Sequence, residues 1–218
     1  MTGTVEVPAE APRDCPLCPR LVSFREANRA AQPAWHNGAV GSFGSDSSRL
    51  LIVGLAPGLR GANRTGRPFT GDFAGDLLYA TLLELGFAHG SYAARPDDNL
   101  ALVDCMITNA VRCVPPENKP TPAEIGTCRP FLASRIAAMP RLAALLALGR
   151  IAHDSTLAAL AVRKSAFPFA HGARHDVRPG LAFFDSFHCS RYNTNTGRLT
   201  PAMFRAVLQS IRDHLATA

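Results

Sequence analysis

Four short apolar runs, separated by segments with helical spacing, constrain this chain more than any other feature. They are Arg49–Val53, closed at once by Gly54; Leu100–Thr108; Leu142–Leu148, closed by Gly149; and Leu181–Asp185. Such runs lack the in-out alternation of a half-exposed strand, which marks strands buried on both faces, as in a parallel sheet. Between them, Leu77, Leu78, Leu82 and Leu85 recur at helical spacing in Ala74–Leu85, and Gly86 stops that helix. Thr121-Pro-Ala-Glu supplies an N-cap, a first-turn proline and an early acid for a helix from Pro122 to about Ala138. Further helices are expected over Leu21–Arg29, Ile151–Ala161 and Pro201–Leu215. The alternation predicts an α/β fold, a three-layer α/β/α sandwich with a central, mostly parallel four-stranded sheet. Residues 1–218 are expected to form a single domain, with 1–13 as a flexible tail.

The charge balance narrows the partners. The formal net charge is +6, and all the cations except Lys119 and Lys164 are arginine. A basic surface of arginine forks suits phosphate, although a GC-rich genome raises arginine in the same way. No apolar stretch reaches the roughly 18 residues that span a bilayer, so no membrane association is expected. Met1–Arg13 contains no apolar core of a signal peptide, which makes the cytoplasm the default compartment.

In such a compartment, closely spaced cysteines point to metal or redox chemistry before disulfides. Cys15-x-x-Cys18 has Cys113 and Cys128 as its available partners, and four thiolates can enclose either zinc or an iron–sulfur cluster. The spacing leaves that choice open, and unligated thiols are the bland alternative. Cys105 reads as a small buried hydrophobe.

In open parallel sheets, ligands collect beyond the carboxyl ends of the strands. Gly54-Leu-Ala-Pro-Gly58 turns sharply off the first strand and lets backbone amides approach a ligand closely. No Gly-Lys-Ser/Thr follows, so it is not a phosphate-binding P-loop. The same loop runs on to Arg67-Pro-Phe-Thr-Gly-Asp72. Phe69 there can stack on a base, and Asp72 can orient water, although singly the first reads better as a core plug and the second as a helix cap. After the last strand, Ser186-Phe-His188-Cys-Ser-Arg-Tyr-Asn193 offers His188 as a hydrogen-bond donor to a developing anion, Asn193 and Asn195 to read amide-like edges or to hold a loop, and Arg191 and Arg198 for phosphate; a plain polar surface loop is the bland alternative.

Taken together, Gly54-Leu-Ala-Pro-Gly58, Gly66-Arg-Pro-Phe-Thr-Gly-Asp72, Asn109-Ala-Val-Arg-Cys113, Asn118-Lys-Pro-Thr-Pro122 and His188-Cys-Ser-Arg-Tyr-Asn193 resemble the family 5 (UDGb-type) uracil-DNA glycosylases, from Cys15 to about Phe204. The resemblance implies a monofunctional base-excision hydrolase acting on double-stranded DNA that contains uracil, hypoxanthine or another deaminated base. It implies a monomer, associated with the nucleoid through DNA, with a [4Fe–4S] cluster on Cys15, Cys18, Cys113 and Cys128. It further implies that Asp72 is the catalytic carboxylate and that Asn118 and His188 assist base departure. Phe69 should stack on the flipped base, backbone groups of Gly54, Leu55 and Ala56 should line the pocket, and Asn193 should support Asn118 and His188. Asp76, four residues after Asp72, is the lesser choice of carboxylate because the family's aspartate follows Thr-Gly. Family 4 relatives carry glutamate where this chain has Leu55. Some family 5 members have a small residue at the place of Asn109; an asparagine there, as in uracil-directed relatives, implies a bias toward uracil.

Overall fold

The computed structural model describes residues 7–217. The elements run in the order α1 (Pro19–Ala31), β1 (Phe43–Gly44), β2 (Leu50–Gly54), α2 (Ala62–Thr65), α3 (Phe73–Glu84), β3 (Ala88–His89), β4 (Ala101–Leu102), β5 (Cys105–Asn109), α4 (Pro122–Ala137), β6 (Ala144–Leu148), α5 (Arg150–Ala159), β7 (Arg174–Arg178), β8 (Leu181–Ser186), α6 (Arg191–Asn195) and α7 (Pro201–Thr217). Short 3₁₀ turns occupy Pro116–Asn118 and Lys164–Ala166.

The four apolar runs become β5, β2, β6 and β8, adjacent in that order and all parallel. Two strands not anticipated from the sequence extend this sheet at its edges. β1 pairs antiparallel with β5, and β7 pairs antiparallel with β8. The run Leu100–Thr108 is broken by Asp104, whose φ of 52° turns the chain between β4 and β5. Asp104 holds that turn against β2, accepting from the backbone N–H of Arg49 at 2.8 Å and from Arg49 Nε at 2.7 Å.

Within each central strand the side chains alternate between two cores. Leu50, Ile52, Ile107, Leu146 and Phe184 face α3 and α7, and Leu51, Val53, Met106, Leu145 and Phe183 face α4 and α5. Burial on both faces accounts for the unbroken apolar sequence of these strands. The cap read at Thr121 forms as a full capping box. Thr121 Oγ1 accepts from the Glu124 N–H at 3.2 Å, and Glu124 Oε2 accepts from the Thr121 N–H at 2.7 Å. Glu124 also receives Arg20 Nη2 at 2.7 Å, which pins α1 to α4.

Of the expected tail, residues 1–6 lie outside the described residues. Residues 7–13 run along the body instead: Glu10 Oε1 accepts from Arg135 Nη2 at 2.8 Å, and the Ala9 carbonyl accepts from the buried Arg112 at 3.3 Å. No helix among the described residues is long and apolar enough to cross a membrane.

β2 and β6 are neighbours, yet the chain leaves β2 toward β5 on one side and β6 toward β8 on the other. Their loops therefore part at the carboxyl edge of the sheet and open a crevice between them.

Candidate active site

A cleft of about 590 Å³ occupies that edge, and seven of the side chains expected at the site line it: Leu55, Ala56, Phe69, Asp72, Asn109, Asn118 and His188. They arrive from the loop after β2, the end of β5, the Pro116–Asn118 turn and the segment after β8. Gly54 closes the floor. A Cβ there would collide with Asn109 Oδ1 and stand 2.7 Å from Phe69 Cζ, so a glycine is what allows the amide and the ring to meet.

Asp72 forms the helix cap read from its sequence and also borders the cleft. It is the N-cap of α3, with Oδ1 accepting from the Gly75 N–H at 3.3 Å, and its carboxylate faces the cleft. Gly58 and Gly61 wrap the loop after β2 around Oδ2; a Cβ at Gly58 would stand 3.0 Å from that oxygen. Burial pushes the Asp72 carboxyl above the usual range, offset in part by backbone N–H bonds from Gly75 and Ala74. Asp76 lies exposed, one turn further along α3.

Phe69 adopts a left-handed backbone, φ 53°, which is unusual for an aromatic residue and is held from several sides. Tyr79 Oη donates to the Pro68 carbonyl at 2.6 Å, and Tyr92 Oη to the Phe69 carbonyl at 3.2 Å. Arg67 anchors the same turn. Its Nε donates to Thr70 Oγ1 at 2.7 Å, while Nη1 and Nη2 form a two-pronged pair with Asp98 at 2.6 and 2.8 Å. The Arg67 guanidinium also lies 5.1 Å from the Phe43 ring centre and 5.5 Å from that of Tyr79. Sequence reasoning missed this brace because Asp98 stands 31 residues away, in an irregular segment with no motif of its own.

The His188 ring lies 5.9 Å from the Phe69 ring, centre to centre, with the planes 32° apart. Burial pushes the His188 pKa down to about 4, so at neutral pH the ring is an uncharged imidazole. Asn109 is buried, and its Oδ1 has no hydrogen-bond partner although it borders the cleft. A buried acceptor left unpaired costs free energy, so its presence at a pocket wall points to a ligand donor. Asn118, with φ 58°, sits exposed at the rim.

Asn193 takes the second of the two parts read for it and holds a loop. It does not line the cleft; its Nδ2 donates to the His188 carbonyl at 2.8 Å, which fixes the turn that carries the imidazole. The cleft also uses Gly58, Leu59, Arg60, Gly61, Ala74 and Ser190, of which only the glycines had a signal in sequence, as part of a glycine-rich loop.

The expected [4Fe–4S] cluster is corrected. Cys15, Cys18, Cys113 and Cys128 are free thiols bordering a cavity of about 10 Å³ with Leu21, Val111 and Phe131. No three of their sulfurs lie within 4.8 Å of one another. Among the described residues, the set of ligand-type side chains that does meet that spacing is His153, His175 and Asp185. Burial pushes the Cys113 thiol up to about 12 and the Cys128 thiol up to about 11, and the four side chains pack as a small apolar cluster between α1 and α4.

Residues 42–212 match the Uracil DNA glycosylase superfamily. Over 204 residues the chain is 45% identical to a type-5 uracil-DNA glycosylase of Thermus thermophilus, covering 91% of this chain and 92% of that relative. A type-5 uracil-DNA glycosylase of Mycobacterium bovis is 41% identical over 207 residues, with 91% and 77% covered. A type-4 uracil-DNA glycosylase of Pyrobaculum aerophilum is 34% identical over a shorter stretch of 141 residues, 64% of this chain and 57% of the relative.

Proposed function

Because this chain belongs to the uracil-DNA glycosylase superfamily, within its type-5 branch, and hydrolyses uracil from DNA in base-excision repair, we propose that Asp72 and His188 divide the chemistry of its cleft between them. The observation that carries this reading is the pairing of a carboxylate and an uncharged imidazole across one pocket whose wall offers an unpartnered amide oxygen.

Breaking the C1′–N bond leaves positive charge on the sugar and negative charge on the base. Asp72, acting as the carboxylate, faces the sugar, stabilises its cationic character and orients the water that adds to C1′. His188 serves as a neutral donor. Its ring N–H stabilises the departing base anion with no need to shed a charge of its own, and Asn193 holds its backbone. Phe69 stacks on the extruded base, and its strained turn, braced by Arg67, keeps the ring fixed before the base arrives. The backbone of Gly54 to Ala56 lines the floor, and Asn118 assists base departure from the rim. The substrate is duplex DNA. Extrusion costs a few kcal/mol and less at a mismatch, so uracil opposite guanine opens more readily than uracil opposite adenine. The chain acts as a single catalytic domain and as a monomer. Hypoxanthine and other deaminated bases are secondary substrates.

Asn109 sets that preference. Its side-chain amide can pair with the N3–H and O4 edge of uracil, and its unpartnered Oδ1 supplies the acceptor. The test is excision of uracil and of hypoxanthine by wild type and Asn109→Ala, followed as alkali-labile strand breaks. The uracil rate should fall about 10-fold or more with a smaller change on hypoxanthine, the scale expected when a site built to hydrogen-bond loses its partner. Equal losses on both bases would refute the assignment.

A further inference from the structure

At β8, the strand that precedes His188, three side chains from three elements converge: His153 of α5, His175 of β7 and Asp185 of β8. None of them borders the catalytic cleft. His153 and Asp185 are fully buried and the His175 side chain is 12% exposed. His153 Nε2 lies 2.9 Å from the Phe167 carbonyl, which can only accept, so Nε2 carries a proton. In a neutral ring that leaves the lone pair on Nδ1, and Nδ1 faces Asp185 Oδ1 at 2.7 Å. A lone pair and a carboxylate oxygen at that distance repel, so a proton joins them or, with the side chains parted by several tenths of an ångström, a metal ion does. His175 Nε2 stands 3.3 Å from the other carboxylate oxygen, and the ligand atoms of all three residues lie within 4.8 Å of one another.

We infer that His153 Nδ1, His175 Nε2 and the Asp185 carboxylate bind a borderline divalent cation of the zinc class. Two imidazoles and one carboxylate suit zinc and its first-row neighbours, whereas magnesium and calcium take oxygen ligands. The Phe167 carbonyl would fix the tautomer of His153, as the second partner of a metal-bound imidazole usually does. Phe183 stacks on His153 at 5.1 Å, Phe169 meets it edge-on at 5.5 Å and Phe167 packs on His175 at 5.7 Å, so the site is walled by aromatic rings. Three protein ligands leave the fourth tetrahedral position to a water, and since none of the three borders the catalytic cleft the ion would brace the fold rather than act in the reaction. The ion would tie α5, β7 and β8 together three residues before His188.

The probe is zinc itself, with the full chain equilibrated in excess Zn²⁺ and then desalted. Metal analysis should find retained zinc, and its X-ray absorption should show a nitrogen and oxygen ligand set. His175→Gln should lose that signal, while Cys18→Ser should keep it. The wild-type spectrum decides even if His175→Gln does not fold. The inference is overturned by protein that retains no zinc, by a ligand set made only of sulfur, or by nitrogen NMR showing both ring N–H protons on His153 in the zinc-treated protein, since a proton would then fill the place of the cation.

Discussion

Asp98→Asn removes the charge that faces Arg67 and leaves the guanidinium in place. The side chains of Arg67 and Asp98 are 7% and 3% exposed and are joined by two short hydrogen bonds, so the change strands a buried cation. Breaking one side of such a pair costs about 3–5 kcal/mol, much more than an exposed ion pair. For a chain of this size each kcal/mol moves the melting temperature by about 2–4 °C, which gives a fall of roughly 6–20 °C. Asp98 also accepts from the Ala93 N–H on Oδ2 at 2.9 Å and from the Leu100 N–H on Oδ1 at 3.2 Å; asparagine keeps one acceptor oxygen, so one of these bonds is lost with the Arg67 pair and adds to the fall. The Arg67 hydrogen bonds hold the Asp98 carboxyl well below the usual carboxylate range. A depressed folded-state pKa gives stability that is fully present above the unfolded value near 3.9 and is lost as pH falls toward the folded value. The gap between wild type and Asp98→Asn should therefore be full at pH 7 and close in strong acid. Scanning calorimetry at neutral pH and chemical unfolding across the acid range measure both. Because the pair also anchors the Phe69 turn, KM for uracil-containing duplex should rise at temperatures where the variant is still folded. A melting temperature within about 2 °C of wild type at pH 7 would refute the reasoning.

Two further outcomes follow from the cleft. The single-turnover rate should fall on acidification with a midpoint above the range of an ordinary aspartate, because activity requires ionised Asp72 and burial raises its pKa; with the His188 pKa near 4, no separate inflection should appear near 6.5, and one there would contradict a neutral imidazole. Gly54→Ala should cost about 1–3 kcal/mol of stability through overpacking, since the new methyl group would press on Asn109 and Phe69 together, and it should weaken uracil excision sharply; a variant with unchanged KM, measured by steady-state cleavage of a uracil duplex, would show that the floor is more pliable than its geometry implies.

The central sheet was legible in sequence because its strands are buried on both faces, so Leu50–Gly54 and Ala144–Leu148 stand out as unbroken apolar runs. The edges were not. Phe43–Gly44 is two residues long, and Arg174–Arg178 reads Arg-His-Asp-Val-Arg, the charged character that keeps an edge strand from pairing with other chains. The break at Asp104 escaped notice because its cause is a turn held by Arg49, far away in the chain. In the site, Phe69, Asp72, Asn109 and His188 were readable because each lies in a short motif at the end of a strand or its loop. For Asn193 the sequence leaves a base edge and a loop bond equally open, and only the structure shows the bond to the His188 carbonyl. The cluster on the four cysteines follows from the resemblance and not from their spacing, and the structure leaves their sulfurs too far apart for three to meet within 4.8 Å. The His153, His175 and Asp185 set was invisible in sequence, since its members come from three separate elements.

The claim that Asp72 carries the chemistry is tested most directly by Asp72→Asn. Asparagine caps a helix about as well as aspartate, so the start of α3 should be preserved and the variant should fold and bind uracil-containing duplex nearly as wild type does. Measured as alkali-labile breaks under single-turnover conditions, with binding followed in parallel, the excision rate should drop by about 10²–10⁴-fold while DNA affinity changes little. An unchanged excision rate would contradict the account.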